Sequence, residues 1–111
     1  MRKYQPLIDY YDRITEILKY FLPHIPSMQV TNAKTYYGSY WRKDNRSSIA
    51  LSALRLLPVV HEELIDTICH ELAHTIFPNH SRMHEVATKH FVSVVNKEWT
   101  AKNVHQSELR A

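Results

Sequence analysis

A chain of 111 residues with 44% hydrophobic and 23% charged residues has the size and balance of one folded domain, and disorder is not its expected state. The formal charge of +3 is compatible with nucleic acid nearby but too small to demand it. The lone cysteine, Cys69, excludes an intramolecular disulfide and the cysteine-rich zinc modules, and the lone glycine, Gly38, excludes Gly-rich phosphate-cradling loops.

The expected domain covers 1–111, with a core over 5–99 and a tail over 100–111. Residues 5–22 predict an amphipathic helix, with Leu7, Tyr11, Ile14, Leu18 and Phe21 on one stripe and Pro23 and Pro26 beyond it. Residues 28–40 are rich in Val, Thr and Tyr and predict one or two strands. WRKDNRSS reads as a polar turn with a basic tip of Arg42, Lys43 and Arg46, and IALSAL as a further strand running to Pro58. Residues 60–77 predict a helix with Glu62, Glu63 and Asp66 in its acidic first stretch, closed by Pro78. A last helix over roughly 80–99 carries Met83, Ala87, Phe91 and Val94 as its stripe, capped by Asn79 or Ser81. The fold class expected is α+β: an N-terminal helix, a small antiparallel sheet and two further helices. No apolar run approaches the roughly 20 residues that a membrane span needs, so no membrane association is expected. The cysteine usage suits a reducing, cytoplasmic setting.

The chemistry lies in the second predicted helix. Residues 70–74 read His-Glu-Leu-Ala-His. Positions four apart on a helix lie about 40° apart around the axis and one turn along it, so both imidazoles can reach one Zn²⁺. Glu71 is then placed to take a proton from a zinc-activated water rather than to bind the ion. A catalytic zinc takes three protein ligands and keeps one position open. His80 follows the Pro78-Asn79 turn and is the favoured third ligand; His84 and Glu85 are the alternatives, and Glu85 is held in reserve. His84 and Tyr37 are also candidates for supporting a ligand or the transition state, with Tyr36 beside them. Cys69 reads as a small buried apolar residue. One Zn²⁺ per chain is the expected cofactor.

DTICHELAHTIFPNHS resembles the active-site helix of the SprT-like and YgjP-like zinc metallopeptidases and of the related WLM peptidases. His80 in PNHS matches the short-spaced third histidine of that group. Lys34 to Ser39 resembles the group's T-x-W-G-S strand, and Ile49 to Ser52 with Leu56-Leu57-Pro58 resembles its next strand and turn. Tyr40 stands where those relatives often have cysteine, and His84 and Glu85 stand where an aromatic pair is common. The short length is also similar to the minigluzincins, whose third ligand is a glutamate; that likeness keeps Glu85 in view.

The resemblance implies a zincin-like minimal fold and hydrolysis of a peptide or protein substrate. The strand at Ile49 to Ser52 is the one expected to offer an edge to an extended substrate. Two other readings stand beside it: a zinc hydrolase on a non-peptide bond, and a nucleic-acid-associated binding module on the same scaffold. Oligomeric state is not legible.

Overall fold

The computed structural model describes residues 4–110, with side chains described through Thr100. It is an α+β arrangement whose described residues form four helices and a three-stranded mixed sheet. Helix α1 spans Gln5–Leu18 and begins with a proline in its first turn, where the missing N–H has no helical partner to lose. Leu7, Tyr11, Ile14 and Leu18 are its buried stripe, as the periodicity predicts. The helix ends four residues earlier than expected. Phe21 donates to the Leu18 carbonyl at 2.8 Å in a tight turn, because Leu22 precedes Pro23 and is driven out of helical geometry. The Tyr11 hydroxyl donates to the Pro26 carbonyl, tying α1 to the entry of the sheet.

Strands β1 (Ser27–Thr31), β2 (Gly38–Lys43) and β3 (Arg46–Ser52) lie in the order β1-β3-β2. β3 runs parallel to β1, with Val30 opposite Leu51, and antiparallel to β2, with Trp41 opposite Ser48. The sheet is therefore mixed, not purely antiparallel. Residues 32–37 carry the chain past a gap that β3 later fills, so first and last strands point the same way. The polar turn of the sequence shrinks to Asp44-Asn45, with Asp44 in the left-handed region at φ 57°. Asp and Asn tolerate that geometry in two-residue hairpins, which frees Trp41 to Lys43 and Arg46 to Ser48 to pair as strand.

Ser52 ends β3 and caps the short helix α2, Ala53–Leu56, which replaces the last part of the expected strand. Its hydroxyl accepts from the Arg55 N–H at 3.3 Å and donates to the Ala33 carbonyl at 2.6 Å. Helix α3, His61–Ala73, places Glu62 and Glu63 in its first turn and buries Leu64, Ile65, Ile68, Cys69 and Leu72. Burial pushes the Cys69 thiol up, which fits its reading as a small apolar residue. Helix α4, Arg82–Arg110, runs on where the sequence suggests a tail from residue 100; the side chains of that part lie outside the described residues. Ile49 and Leu51 of the sheet, the stripes of α1 and α3, and Phe91 and Val95 of α4 share one core. No described helix is long and apolar enough to cross a membrane.

Candidate metal centre

The site forms where α3 ends. Beyond Ala73 the chain tightens into successive short turns: Thr75 donates to Leu72 O at 3.0 Å and Ile76 to Ala73 O at 3.1 Å. The expected helical stretch to residue 77 is lost to these turns, since Phe77 precedes Pro78. Pro78 and Asn79 then reverse the chain. Ser81 accepts from the His84 N–H at 3.2 Å and so caps α4. This reversal carries His80 back over the end of α3.

Three imidazoles converge there. His80 Nε2 lies 3.3 Å from His70 Nε2 and 3.1 Å from His74 Nε2. Corners of a tetrahedron whose ligands sit 2.0–2.1 Å from a zinc ion are about 3.3–3.4 Å apart, so the observed spacing suits one small cation. His74 Nδ1 lies 3.0 Å from the Phe77 carbonyl. Donation from Nδ1 fixes the tautomer that leaves Nε2 free as a ligand atom. Burial, then the neighbouring His84, His74 and His80, hold the His70 pKa down to about 4. Burial likewise lowers that of His74. Both shifts favour the neutral imidazole, the form a metal requires.

A second trio, His70, His74 and His84, also brings its ring nitrogens within 4.8 Å of one another. In this set His84 Nε2 is already engaged with the His70 carbonyl at 2.9 Å. His84 is 3% exposed, and its ring stacks on that of His74 with centroids 4.1 Å apart. It therefore touches both helix-borne histidines. Glu85, the reserve ligand, makes a 3.2 Å ion pair with Lys89 and lines a pocket with His70, His80 and His84.

Glu71 is buried beside this cluster, its Oε2 3.9 Å from His70 Nε2. Burial raises its pKa to about 7. Strand β2 passes directly over it: a Cβ on Gly38 would meet Glu71 Cγ at 3.0 Å. Gly38, Ser39 and Tyr40 of β2 line a cleft of about 340 Å³ with His70, Glu71, His74, Pro78 and His80. The open strand edge beside the histidines therefore belongs to β2. Ile49 to Ser52, expected to offer that edge, sit in the central strand with both sides paired.

Tyr37 is not brought to the histidines; it lines a separate groove with Glu62, Glu63, Asp66 and Thr67. Tyr36 bonds Thr31 through its hydroxyl at 3.2 Å. The tyrosine at the cleft is Tyr40. Its ring stacks on His74 at 5.9 Å between centroids, and its buried hydroxyl has no hydrogen-bond partner among the described residues. Strand parity is the signal that would have found it, since Gly38 and Tyr40 share a face of β2 and Ser39 does not.

A helix-borne histidine pair with an intervening glutamate and a third histidine returned by a turn is the ligand pattern of metal-dependent peptidases. The model of the YgjP-like metallopeptidase domain matches residues 3–109, nearly the whole chain, and the protein belongs to that family. No curated protein and no solved structure matches it.

Proposed function

We propose that the protein is a zinc-dependent peptidase in which His70, His74 and His80 hold the ion and Glu71 is the general base. The observation that carries this reading is the spacing of three Nε2 atoms, 3.1 and 3.3 Å about His80, beside a buried carboxylate. Zinc bound there supplies a Lewis acid and acidifies a water. Glu71 accepts the proton of the attacking water and delivers it to the departing amine. The outer edge of β2 pairs with an extended peptide, whose backbone it aligns across the cleft. His84 holds the His70 carbonyl and the His74 ring in place while the substrate binds.

Metal content separates the ligand from its support. His80→Ala abolishes stoichiometric zinc, whereas His84→Ala keeps one zinc per chain with affinity reduced roughly 10–100-fold. Glu71→Gln retains zinc and loses hydrolysis of a mixed peptide library by roughly 10²–10⁴-fold. Hydrolysis that survives Glu71→Gln, or that is insensitive to chelation, would sink the reading.

A further inference from the structure

The sheet has a second face, and its composition is unlike the first. Residues directly opposite in an antiparallel pair point the same way, so Ser39 with Ala50, Trp41 with Ser48, and Lys43 with Arg46 form three successive rungs. Gln29 of β1 stands beside Ala50 in register. Together Gln29, Ser39, Trp41, Ser48 and Ala50 line a groove of about 260 Å³ on the side away from the core residues Ile49 and Leu51. Its floor is small and polar. Its wall is the indole of Trp41, which is 52% exposed. Its hairpin end carries two cations.

Charge is segregated to this part of the chain. Between Ser27 and Val60 there are five cations, Lys34, Arg42, Lys43, Arg46 and Arg55, against the single carboxylate Asp44. None of the three rungs holds an acidic side chain. Lys43 lies two residues beyond Trp41 on the same face, about 7 Å at the rise of a strand. An exposed flat ring over a shallow floor, with cations one step further along, matches a polymer that alternates flat rings with anionic links.

We propose that this open sheet face binds single-stranded nucleic acid, one base stacking on Trp41 over Ser48 and Ala50 while the backbone phosphates meet Lys43 and Arg46. A duplex does not fit, because its ring faces are stacked on each other. A neutral saccharide has no use for the paired cations. The groove adjoins the cleft through Ser39, which lines both, but the interaction needs neither zinc nor Glu71.

The test is fluorescence anisotropy of a fluorescein-labelled oligothymidylate with the full chain at two salt concentrations. Trp41→Ala weakens binding about tenfold or more, and Trp41→Phe restores most of it. The double change Lys43→Ala with Arg46→Ala weakens binding and flattens its salt dependence by about 1.4 in the log–log slope. Lys19→Ala with Lys97→Ala, the same charge change placed on α1 and α4, leaves affinity within about twofold. Photocrosslinking of the wild-type chain, mapped by peptide mass, places the crosslink in β2 and requires no variant to fold. No binding, equal binding of a duplex of the same length, equal weakening by the control pair, or a crosslink in α4 would each overturn the proposal.

Discussion

Gly38 sets how closely β2 can approach α3. A methyl group there would lie 3.0 Å from Glu71 Cγ and 3.2 Å from both Glu71 Oε2 and Thr67 Cγ2. Since one neighbour is the proposed base, Gly38→Ala is expected to cut turnover roughly 10–100-fold while zinc content stays at one per chain, as turnover assays paired with elemental analysis would register. Glu71 leaves a second signature in the metal-free protein. Its folded pKa of about 7 lies above the usual carboxylate value of 4.5, so the folded state holds a proton that the unfolded state has released between those values. Stability is lost as pH rises through that window. Metal-free Glu71→Gln should match the wild type near pH 4 and exceed it at pH 8 by up to about 3 kcal/mol in urea unfolding. The convergence of His70, Glu71, His74 and His80 was legible in the sequence because it is local: one helical turn and one proline turn. Tyr40 and Gly38 were not, because their place depends on strand parity and on which strand forms the edge. That Tyr37 lines a separate groove with Glu62 and Glu63 was hidden for the same reason.

At the scale of elements, Ser52 does the work of a junction. It is fully buried, caps α2 and holds the Ala33 carbonyl, so it fixes where β3 stops and how residues 32–37 return. Ser52→Ala removes a cap and strands a carbonyl, a cost of about 1–3 kcal/mol that thermal unfolding would report, with metal content per folded chain unchanged. The three long helices and the hairpin were readable from apolar spacing and turn residues. Their ends moved by several residues wherever a proline lay ahead, at Pro23 and Pro78, since the residue before the proline leaves the helix first. The parallel pairing of β1 with β3 was not readable. Alternating side chains look the same in either direction, and only the span between β1 and β2 leaves room for β3.

At the scale of the molecule, α1 is clamped across the far ends of α3 and α4. The Tyr10 hydroxyl and His61 Nδ1 are 2.7 Å apart, Tyr10 stacks on Trp99 at 5.1 Å, and the Arg13 guanidinium lies 3.6 Å from the Trp99 ring centre. At the near end α3 and α4 meet through His84 and the proposed ion. Zinc held as proposed would link the last turn of α3 to the reversal that starts α4, and would stabilise the folded chain over the unfolded one. Free zinc at a thousandfold its dissociation constant is expected to raise unfolding free energy by about 4 kcal/mol, seen as a higher melting temperature that a chelator reverses. His80→Ala should remove that rise. An equal rise in His80→Ala would show that the ion sits elsewhere.

Strand β2 presents two different faces. Gly38 and Tyr40 lie on the side of the cleft, Trp41 and Lys43 on the opposite side, and Asp44-Asn45 fixes the phase between them. The strand is therefore intolerant of a change in length. One residue inserted after Gly38 would turn Tyr40 outward, put Ser39 in its place beside His74 and move Trp41 to the face that Arg42 now occupies, exchanging every side chain beyond the insertion in a single step. Substitutions here act one at a time, whereas an insertion or deletion would disable both surfaces at once, so variation in this family member should come by replacement within β2 and by length only in the loop of residues 32–37.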